Sequence, residues 1–319
     1  MNTLSRCVLL LCVHLSVWSQ ITAQDLPGNM CIAYNIKVPD SSKDNWDVMA
    51  VSPDGKIKYN VSNHPDVAWT YYAYKRRLFF LSDRATCYRC YFLYETDAEG
   101  KRIRKVSDLR LEDSWMSSRF DGREMIVSAR LGQDTRYQLF LIDLATGAYR
   151  QISKDTSAKF TDPSFSPDGK SLVCSVKKDK RSRKTHEELY IVNIDNGSLT
   201  QLTTYPANNI SANDFGFKAS AARWHPSGEY ISYVSKQDGF TGIFGVTPDG
   251  KKQWPIMHSN QFHDGWHDWS PDGNWLCFDR TDKNEKQYHI MLMDLRSKQI
   301  TQITDVSVKT QLSPVFLQK

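Results

Sequence analysis

Cysteine is scarce in this chain: seven in 319 residues, of which only Cys31, Cys87, Cys90, Cys174 and Cys277 fall beyond the first dozen positions. So odd and small a number excludes a scaffold built on disulfides, and stability has to come from an apolar core. No stretch approaches the roughly 20 consecutive apolar residues that a membrane helix requires. Charge of one sign is lacking too. The 41 Lys and Arg nearly balance the 36 Asp and Glu, for a formal net charge of +5, too weak to imply a nucleic-acid partner. There is no Gly-x-Ser-x-Gly nucleophile elbow, so no hydrolase domain of that kind is expected.

What is present begins with a short export signal. Arg6 is followed by an apolar stretch from Cys7 to Val17 and then by small and polar residues ending at Ala23, the charge, length and flank of a secretory signal peptide cleaved after Ala23. Neither Cys7, after Arg6, nor Cys12, after Leu11, follows the small residue that lipidation usually requires. The expectation is a signal peptide over 1–23 and a single domain over 24–319, periplasmic or secreted, with no transmembrane segment.

Repetition organises the rest. Arg119-Phe120-Asp121-Gly122, Ser166-Pro167-Asp168-Gly169, His225-Pro226-Ser227-Gly228 and Ser270-Pro271-Asp272-Gly273 are equivalent turns, with a degenerate copy at Tyr72-Ala73-Tyr74-Lys75. Their ends lie 47, 47, 59 and 45 residues apart, a period that indicates propeller blades. Pro presets the first corner, Asp bonds its own backbone and Gly takes the left-handed φ that closes the hairpin. Three strand patterns follow each innermost one, so a period makes a four-stranded blade. Ser313-Pro314-Val315-Phe316 matches an innermost strand, but the chain ends at Lys319; the missing three strands are read at Cys31–Tyr34, Asp47–Val51 and Lys56–Tyr59. Five whole blades and one shared between the termini give an all-β, six-bladed β-propeller, with its strand edges hidden by closure.

The Pro-x-aromatic-Ser-Pro-Asp-Gly turn with its following apolar strand, at Pro163 to Cys174 and in variant at His267 to Phe278, resembles the repeat of the periplasmic TolB family, and more distantly that of oligogalacturonate lyases. The resemblance covers nearly the whole mature chain and implies the fold; function needs separate argument. The separate N-terminal α/β domain of TolB is not expected ahead of Cys31.

In such blades the second-to-third loops and the exit loops emerge on one face and the Pro-Asp-Gly turns on the other. Insertions in the third whole blade enlarge its second-to-third loop and its exit loop, Tyr205 to Ala221, so the loop face is where function is expected. Three features stand out. The run Lys177-Lys178-Asp179-Lys180-Arg181-Ser182-Arg183-Lys184 reads as a solvated loop or as a patch for an acidic glycan or partner. Cys87-Tyr88-Arg89-Cys90 lacks the following His of a haem site and is expected to form a small disulfide. In His258-Ser259-Asn260-Gln261-Phe262-His263-Asp264-Gly265-Trp266-His267-Asp268-Trp269, His258, His263 and His267 are candidate ligands of a divalent metal such as Zn or Mn. Asp264, Trp266 and Asp268 are candidate ligand-binding neighbours, and the competing reading makes the whole run structural.

Two functions are open. One is a binding module for an extracytoplasmic protein or glycan. The other, implied by the oligogalacturonate lyase resemblance, is a metal-assisted lyase acting on acidic oligosaccharides, in which a cation neutralises the sugar carboxylate while a base removes the adjacent proton.

Overall fold

The computed structural model describes residues 26, 28–39, 44–132, 135–182, 186–205 and 219–319; the expected signal peptide, 1–23, lies outside them. Every sheet is antiparallel, and the sheets form the six blades of a propeller. Blade 3 shows the plan: Lys159–Phe165, Leu172–Lys177, Glu188–Val192 and Leu199–Gln201 run from axis to rim. Blade 1 begins with Ala68–Tyr74, blade 4 with Ser220–Trp224 and blade 5 with Phe262–Trp269. Blade 6 is shared. Gln311–Gln318 pairs with Met30–Lys37, followed by Trp46–Val51 and Lys58–Asn60, with Cys31 opposite Leu317 and Ile32 opposite Phe316.

The turn chemistry works as the residue types require. At Ser166–Gly169, the Asp168 carboxylate accepts from the Ser166 hydroxyl (2.6 Å) and the Lys170 amide (3.1 Å), while Gly169 stands at φ +70°. Most of the large apolar side chains are spent between blades. Ile126, Leu139 and Leu141 of one blade pack on Phe160, Leu172 and Cys174 of the next, and Val173 and Leu189 pack on Ile231, Tyr233 and Phe244. Polar residues of the second strands latch the same seams: Ser128 donates to the Phe160 carbonyl (2.7 Å), Ser175 to that of Ala219 (2.7 Å), and Asp279 accepts the Ser313 amide (2.9 Å).

Innermost strands are bulged at matching places, with register shifts between Thr161 and Ser164, Ser220 and Arg223, and Asp264 and His267. Asp162, Ala221 and Ser313 take positive φ there. A bulge re-aims the side chains that follow it, and here those side chains turn toward the axis. Blade 2 departs furthest: its innermost strand is split into Arg110–Leu111 and Ser117–Arg119. Between the pieces, buried Glu112 binds Arg130 (2.8 Å) and Arg136 (3.1 Å), and Trp115 turns inward beneath Arg223.

Candidate functional site: an axial well

A well of about 620 Å³ is lined by innermost-strand residues of all six blades: Tyr72, Ser118, Ser164, Arg223, Asp268 and Phe316. Its rim includes Lys75, Asp121, Gly169 and Pro271. The well therefore opens among the Pro-Asp-Gly turns, on the face opposite the enlarged loops where the sequence placed function. The loops can vary freely at the rim of each blade, but only innermost strands reach the axis, and their turns frame this mouth.

Its floor is a guanidinium. Arg223 stacks on Trp115 at 3.7 Å, donates Nη2 to the Tyr71 carbonyl at 2.9 Å and lies 3.8 Å, Nε to Oδ1, from Asp268. Its Nε and Nη1 are enclosed by protein and have no hydrogen-bond partner. The Asp268 Oδ2 accepts the Phe316 amide at 3.0 Å. Burial pushes this carboxyl up to about 6, against the pull of Arg223 and of the Phe316 and Trp269 amides; burial likewise disfavours the Arg223 charge, which Asp268 supports. Beneath the floor the Tyr71 hydroxyl donates to the Asp113 carboxylate, and Asp162 is consumed by Ser114, the Trp115 amide and the Ala221 amide.

Of the candidate ligand-binding and metal residues named from sequence, Asp268 alone lines this well. His263 and Trp266 line a second pocket of about 260 Å³ with Asp279, Glu285 and Tyr288. The His263 Nδ1 accepts the Thr241 amide (3.2 Å), Nε2 lies 3.8 Å from Glu285, and burial lowers its basicity. Asp264 is fully buried against Arg280, at 2.6 and 3.0 Å. His267 is also fully buried, bonded through Nε2 to the Ser232 hydroxyl at 2.7 Å, and burial beside Arg223 brings its pKa down to about 3. His258 is half-buried near Phe244.

The histidine trio is thus not a metal centre in this structure. The innermost strand begins already at Phe262, and the step of four positions from His263 to His267 spans roughly 13 Å of strand. Among the described residues no group of three or more His, Cys, Asp or Glu gathers to hold a metal, so the expected divalent ion finds no donor set. In the basic run, Lys177 ends a strand, Lys178 lies over the Tyr190 ring (5.5 Å), and Asp179 accepts the Arg181 and Ser182 amides, a local turn in which Lys180 bonds back to Ser157. These residues lie away from the well, and Arg183 and Lys184 lie outside the described residues. Cys87 and Cys90 are joined, with Cα atoms 5.2 Å apart, while Cys31, Cys174 and Cys277 are buried thiols.

Sequence reasoning missed Arg223, Tyr72, Ser118 and Ser164. A signal existed: the residue just before the innermost aromatic is Ser164, Arg223 and Asp268 in three successive repeats. Aligning the repeats puts opposite charges at equivalent positions of neighbouring blades.

The architecture defines a six-bladed propeller with an axial well open on its turn face. The chain belongs to the TolB beta propeller domain family, whose profile matches residues 70–316. Among solved structures it is similar to TolB from Acinetobacter baumannii, at 15% identity and TM-score 0.69 over 91% of this chain and 67% of that one. A putative TolB from Agrobacterium tumefaciens matches at 18% identity and TM-score 0.63, over 87% and 89%. An oligogalacturonate lyase in complex with manganese matches at 13% identity and TM-score 0.52, over 86% and 73%. At these identities the likeness is one of fold. No curated protein matches the sequence.

Proposed function

We propose that the chain is an exported propeller binding module that receives an extracytoplasmic protein or glycan in the axial well. The observation that carries the reading is the convergence of all six blades on one cavity of the size that ligand sites typically have, with the oppositely charged Arg223 and Asp268 of adjacent blades in its lining. Export rests on the charge and apolar pattern of residues 1–23. No helix of the described residues is long and apolar enough to cross a membrane. The lyase alternative draws on a shared fold with a manganese-bound lyase, but the histidines and aspartates here do not fit a metal, and no step is derived through one.

A photo-crosslinking amino acid placed in turn at Phe120, exposed on the turn face, and at Tyr88, exposed on the loop face, tests the reading in the producing cells. Adducts at position 120 and none at 88 are expected. Adducts at 88 alone would move the site to the other face.

A further inference from the structure

A cavity of about 320 Å³, where the exit loop of blade 1 meets blade 2, shares no residue with the axial well or with the His263 pocket. Its lining includes Asp108, Leu109, Arg110, Arg130, Leu131 and Tyr149. The two arginines are placed directly opposite each other: Arg110, in the innermost strand of blade 2, pairs with Arg130 at the end of the second strand, Glu124–Arg130. Cross-strand partners stand on one face of the sheet with Cβ atoms roughly 5 Å apart, and like charges so placed repel.

The protein answers that repulsion only in part. Arg130 and Arg136 each place Nε and Nη2 at 2.8 to 3.2 Å from the two oxygens of the same buried carboxylate, Glu112. Those contacts consume Glu112. Among the described residues Arg110 has no ion-pair or hydrogen-bond partner, so three guanidinium charges stand against one carboxylate and an excess of two remains. Asp108, at the rim, is tied to Lys105 at 2.6 Å and leaves that excess unchanged. The head of Arg110 is also reachable: the residue is half-buried, only its Nε is enclosed, and its two Nη nitrogens are open. Beside it the apolar part of the lining is bare, with Leu131 56% and Tyr149 43% exposed.

We propose that this cavity is an anion site, in which a carboxylate or phosphate group docks on the Arg110 fork in the field of Arg130 and an apolar body borne by the anion rests on Leu131 and Tyr149. The site is separate from the axial well and does not rest on the binding-module reading. A guanidinium presents parallel N–H donors that match two oxygens of either group. Arg110 supplies those donors, while Arg130, committed to Glu112, supplies charge from the facing strand. An anion between them offsets the like-charge repulsion that Glu112 leaves standing; a cationic ligand would add to it.

The test is calorimetric titration of the purified protein with phenyl phosphate, benzoate, inorganic phosphate, acetate and the neutral benzyl alcohol, in phosphate-free buffer at low ionic strength, where screening is weak. Phenyl phosphate or benzoate should bind, the tighter of the two identifying the headgroup. Its bodiless counterpart should bind several-fold more weakly, and benzyl alcohol at least tenfold more weakly. Arg110→Gln should weaken the aryl anion tenfold or more, and Arg110→Lys, which keeps the charge and loses the fork, by less. Tyr149→Ala should narrow the gap between phenyl phosphate and inorganic phosphate. Because Arg110 has no partner to lose, Arg110→Gln should melt in anion-free buffer at or above the wild-type temperature, which separates loss of the site from loss of the fold. Should it fail to fold, Arg110→Lys and Tyr149→Ala carry the test. Aryl-anion affinity unchanged in Arg110→Gln would show attraction to the chain's net charge at large and overturn the proposal. Equal binding of benzyl alcohol or of the bodiless anions, or no binding of either aryl anion, would overturn it as well.

Discussion

His267 offers a clean physical test, because its burial has a sign and a size. The imidazole is fully enclosed between blades 4 and 5, bonded to Ser232, which also takes the Trp269 indole N–H at 2.8 Å. Desolvation and the neighbouring Arg223 charge bring its pKa down to about 3 from an ordinary 6.5. Below pH 6.5 the unfolded chain takes up a proton that the folded protein refuses until about pH 3, so stability is lost as pH falls through that window. At pH 5 the loss is about 2 kcal/mol, and by pH 3 it approaches about 5 kcal/mol, at 1.36 kcal/mol per pKa unit. Urea unfolding of wild type and His267→Gln, followed by tryptophan fluorescence at pH 7.5 and 5.0, isolates this contribution, since every other titrating group is common to both. The variant should be less stable at pH 7.5 by roughly 1–3 kcal/mol for the disrupted hydrogen bond, and the gap should shrink by about 2 kcal/mol at pH 5. Parallel pH profiles would refute the reasoning, and a variant as stable as wild type at pH 7.5 would reopen a functional role for this histidine.

Asp279 should behave with the opposite sign. Burial and the nearby Asp264 raise its carboxyl to about 7, so its contribution is full below pH 3.8 and lost as pH rises to 7; Asp279→Asn should gain up to about 4 kcal/mol on wild type between pH 4 and pH 8. Deleting Gln311–Lys319 removes the innermost strand of blade 6, with buried Val315, Phe316 and Leu317, and should abolish cooperative thermal unfolding; retained melting behaviour would contradict closure of the ring through a shared blade. Alkylation of the purified protein without reductant, read by mass spectrometry, should leave Cys87 and Cys90 unlabelled, and labelling of both would show a free dithiol.

The ring was legible because blade formation depends on local signals that repeat. The Pro-Asp-Gly turns announce themselves in single sequences, and the split copy at Pro314 and Cys31 announces closure. The site was less legible, because it depends on what six strands do together at the axis. His263 and His267 are close in sequence, but strand geometry and a bulge send His263 to the second pocket and His267 into the seam between blades 4 and 5. Lys177 to Lys184 is conspicuous as a charge run, yet its described part forms a turn far from the well. Arg223 is inconspicuous between Ala222 and Trp224, and only its equivalence to Asp268 in the next repeat marks it. The loop face drew attention because insertions are visible in sequence, whereas a cavity floored by a buried guanidinium leaves no insertion behind.

The central claim is that ligand enters through the turn face. Hydrogen exchange of the protein saturated with the partner crosslinked at position 120 tests that claim most directly. The account predicts slowed exchange at residues 72–75, 117–121, 164–169 and 223–228, turns from successive blades around one mouth. Protection confined to residues 83–91, 178–182 and 258–261, on the loop face, would contradict it.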